Sequence, residues 1–147
     1  GCPFRCSYCL SSVDKTVRFR SLPIVKKELD AFLEAKVPQV KFVDRTFNCN
    51  RQRAIDIWSY LVEHDNGITN FHFEISSDLL GEEELELFAK MRPGLIQLEI
   101  GVQSTNGETV DAIHRHMDLD KLFHYVDSVH ELGACRHTHR QLFRKAG

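Results

Sequence analysis

The sequence predicts an α/β fold in which parallel strands alternate with helices as part of a (β/α) barrel. Two observations predict it. Strand-like stretches at 39–44, 70–76 and 95–102 are each followed by a helical pattern, at roughly 25–30 residues per unit, which requires a parallel sheet with right-handed crossovers. In two of the three strands only one parity is apolar: Phe71, Phe73 and Ile75, then Ile96, Leu98, Ile100 and Val102. The opposite parity reads His72, Glu74, Ser76 and Gln97, Glu99, Gly101, Gln103. Central strands of an open doubly wound sheet are covered on both faces and read as apolar throughout. A polar face needs an interior that holds a polar ligand, and the lumen of a partial barrel provides one. The stretch 39–44 does not show this alternation clearly, and an open sheet shares the same element order.

The elements follow in order. Residues 10–20 are polar and irregular, with Lys15, Arg18 and Arg20 on a solvated loop. Ser21 stands at the cap of a helix whose first turn holds Pro23, where a missing N–H costs nothing. Val25, Leu29, Phe32 and Leu33 fall at i, i+4, i+7 and i+8 and give that helix one buried face. After the strand at 39–44, Asn50 caps a second helix with the stripe Ala54, Ile57, Trp58, Leu61 and Val62, and Gly67 suits a left-handed turn at its end. The strand at 70–76 leads to a helix opening on Glu82, Glu83 and Glu84, acids that favour the positive end of the dipole. Leu85, Phe88, Ala89 and Met91 are its core contacts, and Pro93 and Gly94 break the chain before the third strand. Asn106 caps a short helix through Ile113, and Asp118 starts another carrying Leu122, Phe123, Val126, Val129 and Leu132, closed by Gly133.

Composition bounds what such a fold can serve. The 147 residues are 42% hydrophobic and 27% charged, enough for one core, and the net charge of −2 gives no bulk attraction toward nucleic acid. No apolar run approaches the ~20 residues of a membrane span. With five cysteines and no secretory signal the chain reads as cytoplasmic, with reduced thiols.

The chemistry is concentrated at the start. Cys2, Cys6 and Cys9 stand at the spacing C-x3-C-x2-C on a loop with no sustained apolar run. Three thiolates so close in sequence suit a soft metal centre, and a loop wrapping a cuboidal iron–sulfur cluster needs such short, unequal intervals. An electron-transferring 4Fe–4S cluster takes four cysteines, so three leave one iron open. Zinc is the rival, with Cys49 or one of eight histidines completing a tetrahedron, and the alternative to an enzyme is a zinc- or cluster-bearing binding module. In parallel α/β folds ligands sit at the carboxyl ends of the strands. Those ends carry Asp44 to Asn48, Ser76 to Asp78 and Gly101 to Ser104, on the rim where the cysteine loop would also lie.

With Tyr8 as the aromatic before the last cysteine, the loop resembles the C-x3-C-x-aromatic-C signature of the radical S-adenosylmethionine (SAM) superfamily. The stretch 99–104 resembles the fourth-strand motif of radical SAM enzymes related to oxygen-independent coproporphyrinogen oxidase and the methylthiotransferases, and 43–47 their second-strand motif. Here Arg45 replaces the second acid of that motif. The resemblance implies a 4Fe–4S cluster on Cys2, Cys6 and Cys9, and SAM cleaved to a 5′-deoxyadenosyl radical. It also implies SAM contacts from Tyr8, from Asp44 or Thr46, from Glu74 and Glu99, and from Gln103 and Ser104 at the ribose. The residues leave alternatives open: Asp44 as a turn cap, Glu74 and Glu99 as partners of Lys41 or Arg45, and Cys49 and Cys135 as spare thiols. Trp58 reads as core, and His114, Arg115 and His116 as an exposed helix end.

Residues 2 to about 132 resemble bacterial radical SAM proteins with an N-terminal cobalamin-binding domain and a C-terminal domain of unknown function. The resemblance implies cobalamin as a cofactor of the full-length protein and leaves the substrate open. Residues 1–133 are thus expected to be a partial radical SAM core without its first strand. Residues 134–147, polar and basic where a fifth strand is due, are expected to be a tail that does not pack as native structure. Such a fragment is expected not to turn over SAM alone.

Overall fold

The structure is a computed structural model that describes residues 2–115 and 117–131. The expected tail at 134–147 and the helix end at Gly133 lie outside the described residues, as do Leu132, Cys135 and His116. Three parallel strands, β1 (Gln39–Lys41), β2 (Asn70–Ile75) and β3 (Ile96–Ile100), form one sheet in the order β1-β2-β3. α1 (Leu22–Glu34) precedes β1, α2 (Arg51–Glu63) and α3 (Glu82–Ala89) run between the strands, and α4 (Gly107–Ala112) and α5 (Leu119–Glu131) follow β3. The alternation read from the sequence is the alternation observed.

The two faces of the sheet separate by parity. Phe71, Phe73, Leu98 and Ile100 are at most 1% exposed and pack beneath the helices, whereas His72, Glu74, Gln97 and Glu99 line the other face. Trp58, from α2, is fully buried, as expected, and its ring meets Phe73 and Phe88 edge-on at centroid distances of 5.9 and 5.0 Å. Its Nε1 has no hydrogen-bond partner among the described residues.

Caps fall where side chains allow them. Asn50 accepts from Arg53 N–H at 3.1 Å and Asn106 from Thr109 N–H at 3.0 Å. Gly67 and Gly94 take φ of 73° and 86°, a region costly for any residue with a Cβ. Ser21 occupies its N-cap position without a side-chain hydrogen bond.

Several expectations need correction. β1 ends at Lys41 rather than residue 44, and the chain then leaves the sheet edge, with Val43 87% exposed. Phe32 and Phe123 are both 41% exposed, and Ala89 is also on the surface. One helix face meets its neighbours over a narrower arc than an i, i+4, i+7, i+8 stripe spans. Glu84 is not a solvated dipole acid but is 1% exposed. Its carboxylate accepts two bonds from Arg51, at 2.6 and 2.9 Å, and the N–H of Gly81 at 3.0 Å, so it ties α3 to the start of α2.

A second pairing gives the fold a pH dependence. Asp65 accepts Arg92 Nε at 2.8 Å, Arg92 Nη2 at 3.1 Å and Gly67 N–H at 2.9 Å. Burial alone would raise its pKa, but the Arg92 and Gly67 hydrogen bonds outweigh it and hold the carboxyl below its ordinary value. A depressed carboxylate contributes stability that is present above the unfolded-state value and lost as pH falls through the folded-state value. Thermal melts of Arg92→Met from about pH 6 down to 2 are expected to show a shallower acid limb than wild type. Parallel curves would contradict the assignment.

Candidate functional site

One cavity of about 1250 Å3 opens on the polar face of the sheet, at the carboxyl ends of the strands. Cys2, Cys6 and Cys9 line it, and so do Thr46, Glu74, Glu99, Gln103 and Tyr8. Residues up to 113 positions apart in sequence, Cys2 and Arg115, therefore meet at one site.

The cysteine loop is held by backbone bonds rather than by regular structure. Cys2 N–H donates to Asp14 O at 3.2 Å, Cys9 N–H to Cys6 O at 3.2 Å, and Ser7 N–H to Ile113 O at 3.0 Å. The last of these pins the loop to the end of α4. Cys2 Sγ lies 3.7 Å from Thr46 Oγ1, which joins the loop to the segment after β1. Among the described residues Cys2, Cys6, Cys9 and Cys49 form no disulfide, and Cys2 and Cys6 are buried. No three His, Cys, Asp or Glu side chains among those residues converge closely enough to share one metal ion. Burial, and then the negative charge of Asp44, pushes the Cys49 thiol up, which favours its protonated form.

The segment after β1 is anchored by a residue whose role the sequence reading missed. Asn48 is 3% exposed; its Nδ2 donates to Ser76 O at 2.8 Å and its Oδ1 accepts Ser76 N–H at 3.0 Å. An asparagine in a loop reads as solvated, and nothing in its immediate neighbourhood signals a partner at Ser76. This clamp fixes Thr46 against Cys2. Asp44, by contrast, is exposed and does not line the cavity, and neither does Ser104. Ser104 is 4% exposed and its Oγ accepts Asn106 N–H at 3.1 Å, which supports the turn into α4.

Glu74 and Glu99 are joined by a cation. Lys41 Nζ lies 3.2 Å from Glu74 Oε1 and 3.2 Å from Glu99 Oε2, and Arg45 Nη1 lies 3.7 Å from Glu74 Oε2. The hydrogen bond to Glu99 in particular raises the Lys41 pKa, so this ammonium stays charged. This is the pairing the sequence left as an alternative.

Arg115 overturns the reading of an exposed basic helix end. α4 closes with a Schellman pair, Arg115 N–H to Val110 O at 3.1 Å and His114 N–H to Asp111 O at 2.9 Å. His114 takes the left-handed position at φ 52° where glycine is usual, and the reversal turns Arg115 into the cavity. Arg115 Nη2 donates to Gly101 O at 2.8 Å, Nη1 reaches Tyr8 Oη at 3.4 Å, and Nε is buried without a hydrogen-bond partner. Burial raises the Tyr8 pKa, and the Arg115 charge opposes it. Gly101 keeps this corner open: a Cβ there would sit 2.8 Å from Gln103 Nε2.

The donor set suits a cluster and a polar cofactor together. Three thiols without disulfides, a buried guanidinium nitrogen with no acceptor, and a glycine whose Cβ would displace an amide share one cavity. The family model of the radical SAM superfamily matches residues 1–140.

The chain belongs to the radical SAM superfamily.

Its relatives within reach are partial matches. Over 60 residues it is 42% identical to an uncharacterized methyltransferase of Pyrococcus horikoshii, covering 39% of this chain and 13% of that protein. Over 131 residues it is 25% identical to the hopanoid C-2 methylase of Rhodopseudomonas palustris, covering 81% of this chain and 24% of that one. The chain thus spans a quarter or less of the curated relatives it matches. Two structures of TsrM, a radical S-adenosylmethionine methyltransferase from Kitasatospora setae, share its fold. The one with cobalamin and a 4Fe–4S cluster bound aligns with TM-score 0.75 at 19% identity, over 90% of this chain and 26% of that one. The one with tryptophan substrate and a SAM analogue bound aligns with TM-score 0.76 at 19% identity, over 90% and 27%. At that identity the likeness concerns the fold, a partial barrel of the radical SAM type. No described helix is long and apolar enough to cross a membrane.

Proposed function

We propose that this radical SAM core holds a 4Fe–4S cluster on Cys2, Cys6 and Cys9 and S-adenosylmethionine in the adjoining cavity. The observation that carries the reading is the lining of one cavity by all three cysteines together with Thr46, Glu74, Gln103 and Arg115. When bound and reduced, the cluster supplies the electron that cleaves the cofactor to a 5′-deoxyadenosyl radical. The residues of the chain bind, orient and exclude water. Arg115, with a buried Nε awaiting an acceptor, pairs with the cofactor carboxylate, and Glu74 and Thr46 receive its ammonium. Gln103 hydrogen-bonds the ribose, an amide suiting a pair of hydroxyls because it both donates and accepts. Tyr8 closes the cysteine side, and Ser104 supports the turn into α4.

The relatives named as methylating enzymes, and the cobalamin in a structure of the same fold, support methyl transfer with cobalamin in the full-length protein as the outcome. The test is calorimetry of SAM against the anaerobically reconstituted chain. Affinity for the iron-loaded wild type is expected to exceed that of the Cys2→Ser, Cys6→Ser, Cys9→Ser triple variant by about tenfold or more. Equal affinities would overturn the joint placement of cluster and cofactor.

A further inference from the structure

The polar face of the sheet carries a second reactive group, deeper than the cysteines. The strand register sets Lys41 beside His72 and Glu74 beside Glu99, all on the cavity side. His72 stands three residues before the end of β2, about 10 Å below the strand end at ~3.3 Å per residue. Its Nε2 is buried and lies 3.0 Å from Glu99 Oε2, the oxygen that Lys41 Nζ also holds at 3.2 Å. The contact is a close ion-pair approach rather than an aligned hydrogen bond. Nδ1 differs. It takes no hydrogen bond from any described residue and, unlike Nε2, is not sealed from solvent.

A carboxylate held against one ring nitrogen draws the N–H to that side and leaves the lone pair on the other. Lys41 fixes the carboxylate, so the tautomer is set by a network rather than by one contact. Sites for a single small ligand run to about 300–1,000 Å3. At about 1250 Å3 this cavity has room for a second molecule beside a cofactor.

We infer that His72 is the proton acceptor for that second molecule, the substrate, at the floor of the cavity. Nδ1 takes the proton of an N–H, an O–H or an acidified C–H, the electron pair stays on the substrate, and Glu99 stabilises the imidazolium through Nε2. The proton passes to water through the cavity mouth when the product leaves. Of the charged groups lining this floor, Glu99 from β3 touches His72 and Lys41 from β1 is its register partner, and Glu74 and Arg45 join them through ion pairs. Two cations and two anions leave the floor without net charge, which suits a small polar substrate with an ionisable hydrogen rather than a polyanion. The inference rests on the proposed function only in placing the cofactor at the cysteine end.

Two measurements on the wild-type chain test it. Long-range proton–nitrogen NMR of histidine-labelled protein near neutral pH is expected to show His72 protonated at Nε2 and bare at Nδ1. Diethyl pyrocarbonate, read by peptide mass spectrometry, is expected to acylate the half-buried His72 within about tenfold of the rate at exposed His124. Saturating SAM on the iron-loaded chain is expected to slow that acylation by less than about twofold. An Nδ1–H tautomer, or an unreactive His72 while His124 is acylated, overturns the inference. Full protection by SAM places His72 in the cofactor site and overturns it as well. Failure of SAM to bind the wild type counts against the cofactor reading alone, because the tautomer and the acylation are measured without it.

Discussion

Phe73→Ala is expected to destabilise the chain by about 3–5 kcal/mol, the usual cost of emptying a phenylalanine site in a packed core. Phe73 is fully buried on the central strand, and its ring centroid lies 4.6 Å from Phe42, 4.4 Å from Phe47 and 5.9 Å from Trp58. These rings are supplied by the chain just beyond β1, the turn at Phe47 and α2, so no single element can slide in to fill the space. The loss reaches the site as well. Phe47 is followed by the Asn48 clamp and preceded by Thr46, which stands against Cys2. Denaturant unfolding gives the magnitude, and a loss below about 1 kcal/mol would mean that the cluster of rings collapses around the void.

Arg115→Met is expected to weaken SAM binding by about 2 kcal/mol or more, close to thirtyfold, because a carboxylate is left in the cavity without its cation. Gln103→Ala is expected to cost about 1–3 kcal/mol through an unpaired ribose hydroxyl. Methionine keeps most of the stem volume, so the melting temperature should hold. Calorimetry at equal iron content separates cofactor contact from cluster assembly. If both variants bind SAM as wild type does, the strand-end assignment is wrong.

What the sequence disclosed follows from the range of the physics involved. The parity of Phe71, Phe73 and Ile75 against His72 and Glu74 was legible because a strand alternates faces with a period of two, whatever surrounds it. The caps at Asn50 and Asn106 were legible because their partners lie three residues away. Glu84 was not, since its guanidinium partner stands 33 residues earlier and an acid in a first turn already has a local explanation. Arg115 was hidden for a different reason. Its direction depends on a left-handed residue at His114, and a non-glycine there gives no sign of a reversal. Phe32 misled because the stripe of α1 is wider than the surface available to cover it. Within the site, Cys2, Cys6 and Cys9 announced themselves by spacing. The pairing of Glu74 and Glu99 through Lys41 was readable only as one of two arrangements.

Whether the three thiols of the first nine residues hold an iron–sulfur cluster is read from metal content. Anaerobic reconstitution followed by iron, sulfide and zinc analysis is expected to give about four irons per chain with broad visible absorption. Serine at Cys2, Cys6 and Cys9 together should abolish both, and Cys49→Ser should change neither. Stoichiometric zinc with no iron uptake, or iron retained by the triple variant, would contradict the account.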